Sequence, residues 1–227
     1  MEEEIHHIDK VGTWTLVVAP EGANVLKSLW VLIKKRDVSG AVSRYKAWLV
    51  IGGYGQIYGI NLYDTYAPVV HPATLRALLS IAATTGATVA QVDAKNAYLH
   101  ATLDPNEILY MKLPDHFEEF IPLPSDLAEM KQQGENIVLH LWRPLYGSKQ
   151  GAHKFYKHLV GIVKSIGYTV SNHDPSVYHW LSTNGTFTVI ASATDNMTMI
   201  SDSDKTSKKS QDELGKDLKI IKLGPIH

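Results

Sequence analysis

Two aspartates carry the most suggestive chemistry in this chain. Asp93 closes the apolar, β-compatible run 88–92. Asp195 follows the β-rich run 186–193, in Ala193-Thr194-Asp195-Asn196. Two carboxylates at strand ends can converge on one face of a sheet and hold a divalent metal. Nucleotidyl transfer needs this arrangement, because two ions ~3.5–4 Å apart clamp the attacking and leaving oxygens. Hard oxygen ligands suit Mg²⁺, which keeps waters and substrate phosphate in its shell. The plainer reading is that distant aspartates are strand-end or turn residues, and spacing alone leaves both open.

Positioning such a pair requires a sheet. Residues 13–18 alternate as a strand. Residues 28–35 and 44–51 flank Val38-Ser39-Gly40 as a hairpin, and Gly52-Gly53 breaks its second strand. Pro72 can open a helix through Leu75, Leu78, Leu79 and Ala82, with Gly86 as its stop. Residues 113–124 hold three prolines and read as loop, and 137–141 read as a strand. Phe155, Leu159, Ile162, Val163 and Ile166 form a helical stripe closed by Gly167. Residues 177–181 and 186–193 flank Asn184-Gly185, a strong hairpin signal. The polar, Lys-rich stretch 203–221 reads as a solvated helix. Strands that come as hairpins among helices predict an α+β fold with an antiparallel sheet.

The chain has 227 residues, enough for one large domain or two small subdomains. Its 44% hydrophobic and 20% charged residues are those of an ordinary globular protein. The absence of cysteine excludes disulfides, thiolate zinc sites and a Cys nucleophile, and fits an intracellular setting, cytoplasmic or nuclear. The acidic N-terminus is not a signal peptide, and no apolar run approaches the ~20 residues of a membrane span. The net charge of −1 shows none of the basic surplus usual in nucleic-acid binders. Gly52-Gly53-Tyr54-Gly55 has the spacing of neither nucleotide-binding fingerprint. His6-His7 near Asp9 and the lysines at 205, 208 and 209 read as solvated side chains.

A series of blocks resembles the copia-type reverse transcriptase of retrotransposon Pol polyproteins. Arg44-Tyr45-Lys46-Ala47 and Asp64-Thr65-Tyr66-Ala67-Pro68-Val69-Val70 open it. Thr74-Leu75-Arg76 and Gln91-Val92-Asp93-Ala94-Lys95-Asn96-Ala97-Tyr98-Leu99 continue it, followed by Leu109-Tyr110-Met111 with Pro114 and Phe117. Leu145-Tyr146-Gly147 with Lys149-Gln150, Asp174-Pro175-Ser176-Val177-Tyr178 and Leu223-Gly224-Pro225-Ile226 complete it. These blocks fall in family order across most of the chain.

The resemblance implies the fingers and palm of a right-hand polymerase. Fingers would cover 12–86 and 118–151, interleaved with palm at 87–117 and 152–221. It implies RNA-directed DNA synthesis with two Mg²⁺ ions, an RNA template, a DNA primer and dNTP. Asp93 matches the first metal-binding aspartate and Asp195 the first aspartate of the family's Tyr-Val-Asp-Asp turn. Tyr98 matches the aromatic gate against a ribose 2′-hydroxyl. Lys46 falls where a fingers lysine meets the triphosphate, and Gln150 in the block that shapes the nucleotide pocket. Read without the family, Tyr98 is a core aromatic, Lys46 an exposed charge and Gln150 a helix-start residue.

Departures from the family pattern point to impairment. Tyr-Val-Asp-Asp reads Ala193-Thr194-Asp195-Asn196, so Asn196 is a degenerate catalytic position with one carboxylate charge lost. Lys-Ala-Arg-Leu-Val-Ala-Arg-Gly reads Lys46-Ala47-Trp48-Leu49-Val50-Ile51-Gly52-Gly53, so both arginines are gone. Gln-Ala-Pro-Arg reads Gln150-Gly151-Ala152-His153. The chain stops at His227, near the family's primer grip, so the thumb is expected to be absent. The expectation is a polymerase domain of reduced activity. The alternative is a non-catalytic nucleic-acid or partner-binding relic of that domain.

Overall fold

A computed structural model describes residues 1–225. Ile226, last residue of the closing block, and His227, where the chain stops, lie outside the described residues. In chain order the first half holds α1 (Glu2–Lys10), β1 (Trp14–Val18), β2 (Val25–Leu26), β3 (Ser28–Arg36), β4 (Val42–Ile51), α2 (Pro72–Thr85), β5 (Thr88–Ala94) and β6 (Leu109–Lys112). The second half holds α3 (Phe117–Phe120), α4 (Ser125–Gln132), β7 (Ile137–Leu141), α5 (Gly151–Ser165), β8 (Thr169–Val170), β9 (Val177–Leu181), β10 (Phe187–Ala193), β11 (Asn196–Ser201), α6 (Asp204–Asp217) and β12 (Ile220–Pro225). Helices and mainly antiparallel sheets are mixed, so the expected α+β class holds.

The chain divides into two compact units, each built from two stretches. Met1–Thr65 joins Ala101–Lys154, and Tyr66–His100 joins everything from Phe155 onward.

The first unit holds a four-stranded sheet in the order β1-β7-β6-β2 and the separate hairpin β3-β4. Only the short β2–β6 pairing is parallel. Alternation sorts this sheet's faces: Leu109, Met111, Leu139 and Leu141 are at most 1% exposed on one side. The N-terminal helix escaped the sequence reading. Its acidic first turn hides an amphipathic pair, Ile5 and Ile8, both at most 1% exposed. Glu2, Glu3 and Glu4 sit where a helix N-terminus favours negative charge. Residues 113–124 are not all loop, because Phe117 buries its ring against Trp14 and begins the one-turn α3.

The break at Gly52-Gly53 has a physical cause. A β-carbon on Gly53 would overlap the carbonyl oxygen of Gly147, and one on Gly147 would overlap the carbonyl oxygen of Ile51. Gly147 also takes φ +89°, a conformation that side chains resist. The two backbones lie together here, joined by Ile51 N–H donating to Tyr146 O at 2.9 Å.

The second unit is a six-stranded antiparallel sheet, β12-β5-β11-β10-β9-β8, covered by α2, α5 and α6. Phe155, Leu159, Ile162 and Val163 on α5 join Val92, Tyr178, Ile190, Met197 and Met199 of the sheet in one buried cluster. The first turn of α5, residues 151–154, counts with the first unit. Gly86 caps α2 in the left-handed conformation, as the sequence predicts. The β9–β10 loop keeps Gly185 at φ +86°, but it closes over three residues, with Ser182 N–H donating to Thr186 O.

The 203–221 stretch departs most from expectation. It forms α6, and then β12 from Ile220. Four α6 residues, Ser207, Ser210, Gln211 and Leu214, are buried. Three of these are polar, which is why periodicity of apolar residues did not mark the buried face. They are satisfied internally: Thr188 Oγ1 lies 3.0 Å from both Ser201 Oγ and Ser210 Oγ, and Gln211 donates to Ser207 Oγ.

Candidate nucleotidyl-transfer site

The two aspartates of the sequence reading meet in the second unit. Strand β5 lies between β11 and β12, and Asp93 faces Asn196 on one side and Ile221 on the other. Directly opposed residues in an antiparallel pair have Cβ atoms ~4.5–5.5 Å apart. The turn that carries Asp195 is tied to β5, because Ala94 N–H donates to the Asp195 carbonyl at 2.8 Å. The register of β5 against β11 therefore brings Asp93, Asp195 and Asn196 together. Asp93 and Asp195 are half-buried, and Asn196 is exposed.

The turn itself is tight. Ala193 and Asn196 are register partners, so only Thr194 and Asp195 cross between β10 and β11. Thr194 takes φ +58°, a left-handed conformation unusual for a β-branched residue. Such a conformation costs about 1–3 kcal/mol and persists only where the surroundings impose it. Sequence reading missed Thr194, although a two-residue hairpin demands positive φ within it.

Asn196 does more than remove a charge. Its Nδ2 donates to Asp195 Oδ1 at 3.4 Å, a long contact. The amide thus presents a donor to a carboxylate oxygen that could otherwise face a cation. Tyr98 lies close by on the short 3₁₀ turn Ala97–His100. Burial raises its phenol above the ordinary value, and the negative charge of Asp195 adds to the rise. The phenol stays protonated and neutral across the physiological range.

The remaining predicted residues belong to the first unit. Lys46 sits on β4 opposite Ile33, its ammonium 5.3 Å from the centre of the Trp48 ring. Trp48 in turn stacks on Tyr146. Trp48 therefore holds the lysine by a cation–π contact. Gln150 is fully buried, and its side chain is engaged inside the protein. Gln56 Nε2 donates to Gln150 Oε1 at 2.7 Å, Gln150 Nε2 donates to Asn61 O at 3.3 Å, and Lys149 N–H donates to Gln56 Oε1 at 2.9 Å. Neither Gln56 nor Asn61 was singled out by sequence, since no local spacing marks a buried amide cluster. Beside it, Lys154 is 5% exposed and is paired with Glu107 and Asp104.

Among the described residues, no three His, Cys, Asp or Glu side chains form a metal-holding group. Asp93 and Asp195 are hard oxygen donors of the kind Mg²⁺ takes, and with only one or two protein carboxylates such an ion keeps most of its shell as water and phosphate. The pair therefore fits Mg²⁺, with Asn196 contributing no charge.

Residues 11–227 match the family described as reverse transcriptase (RNA-dependent DNA polymerase). The chain is 33% identical over 225 residues, 99% of its length, to the Retrovirus-related Pol polyprotein from transposon TNT 1-94 of Nicotiana tabacum. It is 30% identical over 167 residues, 73% of its length, to the Retrovirus-related Pol polyprotein from transposon RE1 of Arabidopsis thaliana. The chain belongs to the copia-type reverse transcriptase family. It spans 16% of the TNT 1-94 polyprotein and 10% of the RE1 polyprotein. No helix among the described residues is long and apolar enough to cross a membrane.

Proposed function

We propose that this chain is a nucleotidyl-transfer domain that copies RNA into DNA, with its metal site weakened by Asn196. The observation that carries the reading is the β5–β11 register, which sets Asp93 opposite Asn196 and beside the Asp195 turn. In this reading the six-stranded unit is the palm and the other unit the fingers. Asp93 and Asp195 would hold Mg²⁺, which when bound would supply charge for the transferring phosphate and lower the pKa of the attacking hydroxyl.

The other roles belong to the chain. Tyr98, neutral beside Asp195, presents a flat ring where a ribose 2′-hydroxyl would crowd it. Lys46, held over Trp48, offers a point charge for triphosphate. Gln150, its amide occupied by Gln56 and Asn61, stiffens the block that the resemblance assigns to the nucleotide pocket. Template RNA, primer DNA and dNTP are the partners this assignment requires.

A second reading, binding without turnover, is favoured by one observation: Asn196 donates to the oxygen of Asp195. The two readings separate by primer extension on an RNA template with Mg²⁺. The wild-type chain is expected to extend weakly, and Asp93→Asn not at all. Asn196→Asp is expected to raise the rate and lower the Mg²⁺ requirement, each by about tenfold or more, since affinity in such sites follows ligand charge. This variant is preferable to restoring the fingers arginines. A side chain on Gly52 would meet Lys27 O at 3.3 Å, and Trp48→Arg would remove the stack on Tyr146. Wild-type extension equal to that of Asp93→Asn, with Asn196→Asp equally silent, rejects the catalytic reading and leaves binding alone.

A further inference from the structure

The face of the four-stranded sheet opposite its leucine-rich side carries a run of aromatic rings. Tyr110 on β6 and His140 on β7 are register partners, with ring centroids 5.1 Å apart. Trp142, just past the end of β7, brings its indole centroid to 4.1 Å from the His140 ring. Trp142 is 49% exposed, while Tyr110 and His140 are partly open to solvent. A tryptophan held half in water beside two other rings leaves a π-surface without a covering group of its own.

The strand residues that share this face are basic or neutral. Lys112, exposed, lies on the same face two residues beyond Tyr110, in register with Val138. Thr15, uncharged and exposed, flanks His140 from β1. Burial holds the His140 imidazole below its ordinary value, so near neutral pH it is an uncharged ring rather than a cation.

We propose that Tyr110, His140 and Trp142, with Lys112 at their edge, form a stacking platform for unpaired bases of a single-stranded nucleic acid. Bases stack on sheet-borne aromatics regardless of sequence, because every base has a π-face. Lys112 supplies charge complementary to a phosphate, and Ile108, 44% exposed just before β6, adds apolar surface beside the rings. The platform rests on the nucleic-acid reading of the chain, yet uses none of its carboxylates. It also suits a chain of net charge −1, since stacking needs no basic surplus.

The test measures binding of the full chain to a labelled oligo-uridine strand and to an abasic strand of equal length, each across a salt titration. Trp142→Ala is expected to weaken oligo-uridine binding about tenfold and leave abasic binding unchanged. Trp142→Phe is expected to restore most of the loss, and the unchanged abasic binding of Trp142→Ala separates lost stacking from a destabilised fold. Lys112→Ala is expected to weaken both strands alike and flatten the salt dependence. Equal oligo-uridine affinity for wild type and Trp142→Ala overturns the platform and leaves the nucleic-acid reading standing. No wild-type binding to either strand overturns both. A wild-type dimer that Trp142→Ala converts to monomer, without change in strand binding, assigns the rings to a second copy of the chain instead.

Discussion

Asn196 is nearly isosteric with aspartate, so the backbone around it has no need to change. What changes is the sign of the group facing Asp195, from a repelling oxygen to a donating nitrogen. Two adjacent carboxylates repel each other until a cation arrives, whereas an Asp–Asn pair is stable without one. The same turn holds a testable strain at Thr194, whose φ of +58° glycine would adopt freely. Thr194→Gly is expected to stabilise the second unit by about 0.5–1 kcal/mol, less the entropy glycine adds to the unfolded chain. A urea midpoint that falls instead would show that the threonine side chain contributes more than its backbone costs. Gln150 teaches a related lesson. The glutamine of the Lys149-Gln150 block is buried, with its amide engaged by Gln56 and Asn61.

At the scale of elements, several motif blocks hold backbone together. Asp174 accepts from His71 N–H at 2.9 Å and from Ser176 N–H at 3.1 Å, so its block anchors the start of α2. Tyr146-Gly147 serves the β4 end through Ile51 and Gly53. Gly147→Ala must overcome both a positive φ and overlap with Ile51 O and Val50 Cγ1. It is expected to cost about 2–4 kcal/mol, read as a lower urea midpoint with unchanged slope. A loss below ~0.5 kcal/mol would show that the two backbones separate at little cost. Strand β12 was hidden by the lysines around it. Its pairing to β5 supplies the second neighbour that Asp93 needs to sit on a central strand.

For the whole molecule, stability at high pH follows from buried phenols. Tyr178 is 0% exposed in the core of the second unit, and burial pushes its phenol up to about 12. The folded state therefore keeps a proton that the unfolded chain releases at ~10. The associated stabilisation is fully present below pH ~10 and is lost as pH rises towards the folded value, amounting to on the order of 2–3 kcal/mol. Tyr156 and Tyr168 are raised by burial in the same direction. Denaturant unfolding of Tyr178→Phe between pH 9 and pH 12 is expected to show a shallower loss of stability than wild type. An unchanged slope would mean that Tyr178 ionises without leaving the core.

Local chemistry in the sequence was enough to determine the α+β class, the β3–β4 hairpin, α2 with its Gly86 stop, α5 and the family. These depend on periodicity, caps and motif order, all of which act between neighbours along the chain. The two aspartates were visible as strand-end carboxylates, but their meeting was not, because register between β5 and β11 is a long-range choice. Tertiary structure alone decided that Asn196 donates to Asp195, that Gln150 is buried, and that the Lys-rich C-terminal stretch folds partly as a strand beside Asp93. Each of these is set by which backbone lies opposite which, and a polar residue satisfied inside the fold looks the same in sequence as one left in water.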